Sequence, residues 1–372
     1  MRKRADESKR MLKVVGAVPV LLVIAMVVIT HTTARVPADP RLVLVRQHEA
    51  AVVTTRSPGA EGIRFGFEGG RAVKVGGRYH LFTSEMIDDP MWVKMRLGHW
   101  SSEDRIRWTR VATIRESSGE IEGKDPRAAL WSPLPVWDEQ EERWNLFYVA
   151  YHAARGDGTR FMLNHEGRIW RAVSRTRGAE GIGGPYDDVG VVMEPGDDSL
   201  PWEGLQGTAS FFPWRVGSSW LALYGSARTE TMPIEHWLVG LASASALGGP
   251  WTRLRAPSPV PIEKRFIENP IVTPAPGGGW LAVYDHERAD AVGWTYSADG
   301  RTWQQGRALV VQPRAGVWAK DVRTPLGLIG EGDGRFTMLY TGFEETPDWD
   351  RLLTGRGRET CAIGFVEVRV DR

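Results

Sequence analysis

The stretch GGWLAVY (278–284) sets a glycine turn ahead of an aromatic residue and alternating large apolar positions, the pattern of a half-buried strand. It recurs as GGRYHLF (76–82), ERWNLFY (142–148), SSWLALY (218–224) and GRFTMLY (334–340). The aromatic anchors Tyr79, Trp144, Trp220, Trp280 and Phe336 thus follow one another at intervals of roughly 56 to 76 residues. Units of that period are too small to bury their own faces and must stack around an axis. The reading is an all-β chain folded as a five-bladed β-propeller with four strands per blade. Amphipathic helical periodicity is weak after residue 40.

A second half accompanies the anchors. HWSSEDRIRWTRV (99–111), RAVSRTRGAEGIGGPYDDVGVV (171–192), LASASALGGPWTRL (241–254) and TYSADGRTWQQG (295–306) each combine a small-residue strand, a Ser and a polar or glycine-containing turn. These predict hairpins between the outer strands of blades, with Asp299-Gly300 the strongest turn signal. The last repeat ends in CAIGFVEVRV (361–370), where one more strand completes a blade. Its Cys361 is the one cysteine in the chain, so no internal disulfide forms, and the apolar run marks it as a small buried residue.

Composition narrows the function. Forty-seven Lys and Arg balance 46 Asp and Glu, which is not the basic footprint of a nucleic-acid binder. Seventeen Trp residues suit wedges between blades, with a minority free to stack on a ligand. The N-terminus MRKRADESKR is basic, and the run 14–30 (VVGAVPVLLVIAMVVIT) carries no charge. It is long for the apolar core of a signal peptide and slightly short for a spanning helix. Residues 1–35 therefore read as a signal peptide or signal-anchor, 36–60 as a linker and 61–372 as the propeller. The positive flank predicts a propeller on the extracytoplasmic side, secreted or anchored, touching the membrane only through this segment, and a monomer is expected.

Ahead of each anchor stands a lead-in segment: FEGGRAVKV (67–75), LWSPLPVW (130–137), GTASFFPW (207–214), IENPIVTP (267–274) and VRTPLGLI (322–329). Superposing Pro133, Pro270 and Pro325 brings Gly70 and Ser210 into the same column. Two residues earlier the column reads Glu68, Trp131, Thr208, Glu268 and Arg323. Inner strands of a propeller run along its channel, so these side chains are expected to converge on one mouth.

These motifs resemble the five-bladed propeller glycosidases: glycoside hydrolase family 43 and its invertase-like and mannoside-phosphorylase relatives. The resemblance spans nearly the whole chain after residue 60, mostly as repeat rhythm. It implies that Glu68 in FEGG occupies the place of the family's first-blade general base. Trp131-Ser132-Pro133 is similar to the family's second-blade Trp-Ala-Pro, and Glu268-Asn269-Pro270 corresponds to the Glu-Gly-Pro that carries its catalytic acid. The family's third-blade Asp, which orients that acid and raises its pKa, has no counterpart in Gln206-Gly207-Thr208.

Glycoside hydrolysis needs one protonated carboxylic acid and one ionised carboxylate, roles that fall to Glu268 and Glu68. The missing third charge is expected from Glu203, with Asp125 as the alternative. Arg71, Arg127 and Arg323 offer planar forks of donors for a substrate, Trp131 offers a stacking face, and Gln206 offers a hydrogen-bonding amide. Asp285 and Asp321 stand at strand ends near the same mouth. No cofactor is expected, and no metal site either, since His152 and His165 lack zinc-ligand spacing. Carbohydrate is the expected partner. Besides a hydrolase, a phosphate-using phosphorylase and a non-catalytic carbohydrate-binding propeller remain open.

Overall fold

A computed structural model describes residues 39–155, 164–230, 233–312, 318–354 and 356–371, and within them the chain is almost entirely β. The apolar run 14–30 and most of the 154–164 loop lie outside the described residues. Among the described residues no helix is long and apolar enough to cross a membrane.

The first strand, β1 (Arg41–Gln47), precedes a series of antiparallel meanders. The first comprises β2 (Gly66–Val75), β3 (Arg78–Met86), β4 (Met95–Ser102) and β5 (Thr109–Glu116). The second comprises β6 (Ala129–Asp138), β7 (Arg143–Ala153), β8 (Asn164–Arg177) and β9 (Tyr186–Met193). The third runs through β10 (Ser210–Val216), β11 (Ser219–Ala227), β12 (Trp237–Ala244) and the short β13 (Thr252–Arg253). The fourth runs through β14 (Glu268–Pro274), β15 (Trp280–Asp285), β16 (Ala291–Ser297) and β17 (Arg307–Val310). Last come β18 (Asp321–Gly332), β19 (Arg335–Phe343) and β20 (Cys361–Asp371). Every anchor stands at the first or second residue of its meander's second strand, as the repeat requires.

The fourth place beside β20 is taken by β1, paired antiparallel from Arg41↔Asp371 to Gln47↔Val366. The expected linker at 36–60 is thereby corrected. RLVLVRQ alternates well enough to pair, and without it the last part of β20, from Val366 to Asp371, would be an open edge. Residues beyond β1 also pack, with Val53, Ala60 and Ile63 buried against Phe67 and Trp100.

Neighbouring meanders touch through short parallel bridges between a third strand and the next lead-in segment: Gly66↔Cys361, Gly167↔Gly207 and Trp237↔Phe266. The first of these merges two meanders into one continuous eight-stranded sheet. Only glycine fits there, because a Cβ on Gly66 would lie 1.7 Å from the Cys361 carbonyl oxygen and φ is +90°. The first strands β2, β6, β10, β14 and β18 each pack against the next, and β18 packs against β2, so they form a closed ring. Aromatic rings fill the wedges between meanders, such as Phe147 on Phe211 at 5.3 Å and Trp214 edge-on to Trp303 at 5.8 Å. Each buried ring contributes roughly 1.5–3 kcal/mol of apolar transfer.

The tyrosines that close the anchor segments perform a repeated task. Tyr148, Tyr224 and Tyr284 are fully buried, yet each hydroxyl donates to a carboxylate: Asp188 at 2.8 Å, Glu203 at 2.9 Å and Glu263 at 2.6 Å. A buried phenol left without such a partner would be costly, so these acids belong to the scaffold.

Candidate active site

The lead-in strands are aimed by bulges. Register slips occur after Glu68 in β2, after Trp131 in β6, after Glu268 in β14 and after Val322 in β18. In the first three the next residue lies in the left-handed region: Gly69 at φ 60°, Ser132 at 50° and Asn269 at 48°. Such a bulge bends the strand and re-aims its side chain, here into the ring's mouth. The non-glycine cases are strained, and a chain of hydrogen bonds holds them. Ser132 N–H donates to Ser84 Oγ (2.8 Å), Ser132 Oγ to Asn269 Oδ1 (3.1 Å), and Asn269 Nδ2 to Asp285 Oδ2 (3.4 Å). The β10 ladder alone runs unbroken from Ser210, so Thr208 stays outside the strand.

Four carboxylates gather around one guanidinium. Arg323 Nε donates to Glu68 Oε1 at 3.0 Å, while its Nη2 lies 3.8 Å from both Glu268 Oε2 and Asp285 Oδ2. Asp285 faces Glu268 directly across the β14–β15 hairpin, is fully buried, and also accepts from Thr324 Oγ1 at 3.1 Å. Burial pushes the Glu268 pKa well up, and the charges of Asp285 and Glu68 push it further against the pull of Arg323. Asp285 is raised as well, first by burial and then by Glu68, with Arg323, Thr324 and Asn269 opposing. Asp321 is raised chiefly by burial. One cation shared among this many acids leaves the charged form of Glu268 disfavoured, which shifts it toward its protonated form.

A cavity of about 430 Å³ opens beside the cluster. Glu68, Glu268, Asp321, Arg323, Trp131 and Gln206 line it, as the column and its neighbours lead one to expect. Trp92, Trp237, Phe266 and Trp349 add aromatic wall. Trp349 belongs to α1 (Trp349–Leu353), a single turn capped by Asp348, and the Arg323 guanidinium lies 5.1 Å from its ring centroid.

The remaining expected residues lie elsewhere. Glu203 does not line the cavity. It accepts from Tyr224 OH and, at 3.0 Å, from Arg253 Nε, so the acid beside Glu268 is Asp285 instead. Asp285 accordingly stands behind Glu268 and does not itself line the cavity. Asp125 caps its own loop by accepting from Arg127 N–H at 2.8 Å. The Arg127 side chain pairs with Asp188 at 2.8 Å and lies over Trp170, at the outer strands. Arg71 donates to the Pro135 carbonyl and lies 4.8 Å over the Phe212 ring, where burial lowers its pKa to about 10. Sequence reasoning passed over Asn164, Trp92, Trp237 and Trp349. Trp92 and Trp349 stand in connections that the repeat does not govern. Among the described residues no group of three or more His, Cys, Asp or Glu side chains is placed to hold a metal ion.

No protein-family model and no curated protein sequence matches this chain. Solved structures do. A family 117 glycoside hydrolase, Zg3597 of the marine bacterium Zobellia galactanivorans, superposes with a TM-score of 0.59 at 13% identity, over 89% of this chain and 90% of that one. A GH43_1 enzyme from Xanthomonas citri gives 0.50 at 13%, over 86% and 90%. An N-acetylgalactosamine deacetylase from F. plautii gives 0.55 at 10%, over 86% and 95%. At these identities the likeness is one of fold: the chain has the propeller architecture of glycoside hydrolases, and the resemblance read from its lead-in motifs is met at that level.

Proposed function

We propose that this protein is a five-bladed propeller glycosidase, with Glu268 as general acid and Glu68 as the carboxylate that activates water or attacks the anomeric carbon. The observation that carries this reading is the convergence of two glutamates from different lead-in strands on Arg323, beside an aromatic-walled cavity. Sharing one guanidinium holds the two glutamates in a single site, as a two-carboxylate mechanism requires. Arg323 occupies Glu68 Oε1 and leaves Oε2 without a protein partner, and Oε2 is the atom assigned to the water or sugar. Asp285 helps keep the proton on Glu268, which then protonates the leaving oxygen. The basic N-terminus and the charge-free run after it support action outside the cytoplasm by a secreted or anchored protein.

Turnover of a panel of aryl glycosides and polysaccharides by the wild type, Glu68→Gln and Glu268→Gln tests the reading. Equal turnover in all three proteins overturns it. Thr208, standing where the resemblance calls for a third acid, favours a second reading as a non-catalytic carbohydrate-binding propeller. That reading gains if tryptophan fluorescence titrates with an oligosaccharide that is never cleaved. A phosphorylase is less well supported, because Arg71 and Arg127 are engaged away from the cavity.

A further inference from the structure

Two amides beside the cavity have their NH₂ groups fixed by partners that can only accept. Asn164 Nδ2 donates to the Trp92 carbonyl at 2.9 Å, and a carbonyl has no proton to give back. The Asn164 Oδ1 must therefore face away from it, and no protein donor reaches that oxygen. The same carbonyl accepts from Trp131 Nε1 at 3.1 Å, and Trp92 holds a left-handed φ of 70° that a bulky residue rarely adopts. Gln206 follows the same logic. Tyr151 donates its only hydroxyl proton to the Ala209 carbonyl at 3.1 Å, so its bond with Gln206 must use the Gln206 Nε2 as donor. Gln206 Oε1 is left without a donor.

The backbone ties together the segments that carry these two residues. Gly167 N–H donates to the Gln206 carbonyl at 2.9 Å and Thr208 N–H to the Gly167 carbonyl at 2.9 Å, tying the start of β8 to the third lead-in segment. Both residues line the same cavity as Glu68 and Glu268, and both are at least nine-tenths buried. Buried acceptors that the protein leaves unmet require donors from whatever occupies the site.

We propose that Asn164 and Gln206 form a hydroxyl-reading subsite. Their two carbonyl oxygens accept from two free hydroxyls of the bound sugar unit, which selects a neutral sugar unsubstituted there over one carrying a carboxylate, sulfate or O-acyl group. This rests on the glycosidase reading for its chemistry but is tested separately from it. The probes are the best aryl glycoside of the panel and its set of monodeoxy analogues. Against the parent glycoside, Gln206→Met and Asn164→Leu are each expected to lower kcat/KM by about 10- to 100-fold. Each variant should lose nothing further on one particular deoxy analogue, the one lacking the hydroxyl it reads. Wild-type kcat/KM in the Met and Leu variants, or losses that multiply on every deoxy analogue, overturn the subsite while leaving the glycosidase reading intact. If no glycoside is turned over, the glycosidase reading fails, and the same pairs are read as Kd by tryptophan quenching. Absence of any binding overturns both.

Discussion

Glu203 and Glu268 are both partly buried glutamates that precede or begin a lead-in strand, and only one of them belongs to the site. Around Glu203, Arg253 Nε, Tyr224 OH and the Leu200 N–H all donate to Oε1, so the acid has a cation of its own. Around Glu268, three further acids share a single Arg323. A satisfied buried acid is scaffold, whereas a group of acids short of positive charge at the edge of a cavity is suited to proton transfer. The counterpart of Glu203 in the fourth meander is Glu263, which lies five residues before Glu268 as Glu203 lies five before Thr208. Both receive a tyrosine hydroxyl.

The contrast can be broken most forcefully at the acids themselves. Glu268→Gln and Glu68→Gln are each expected to lower kcat by about 10³-fold or more while the fold persists, as read by steady-state kinetics and circular dichroism. Asp285→Asn comes next, with a loss of about 10- to 100-fold. Removing its charge takes away an influence that raises Glu268, so the alkaline limb of the pH–rate profile should move to lower pH. An unmoved limb would reduce Asp285 to packing. Stability follows the same groups. With Glu268 and Asp285 raised above their ordinary values, the folded chain holds protons that the unfolded chain releases, so stability is lost as pH rises from the ordinary carboxylate range through the raised values. Glu268→Gln should flatten that decline in thermal melts between pH 5 and about pH 8.

On the scaffold side, Glu203→Gln is expected to cost about 3 kcal/mol in denaturant unfolding with kcat retained, since it breaks a buried pair remote from the cavity. The smallest effect is reserved for Tyr284→Phe, about 1 kcal/mol of stability from its hydrogen bond to Glu263 and no change in kcat.

How far the sequence reached follows from what its repeat measures. The anchor rhythm marks second strands, and the proline column marks lead-in strands. Together they located Glu68, Trp131, Glu268 and Arg323, all of which line the cavity. Asp285 was visible only as a residue near a strand end, because its meaning lies in the pairing across a hairpin whose count is offset by the bulge between Glu268 and Ile271. The identity of Glu203 was hidden by treating it singly, when its shared offset with Glu263 marks both as partners of buried tyrosines. Trp92, Asn164 and Trp349 come from connections or strand starts outside the repeated segments, where no periodic signal applies. The strand at 41–47 was read as linker because its partner lies at the far end of the chain.

That last pairing sets a condition on how the molecule is made. Arg41 meets Asp371 across 330 positions of sequence, so β1 leaves the ribosome long before its partner β20. At ordinary rates of synthesis the delay is on the order of tens of seconds. Until then β1 has no strand to pair with, and contacts of such long range fold slowly. A nascent chain of this protein therefore carries a strand without its partner across more than three hundred residues of synthesis.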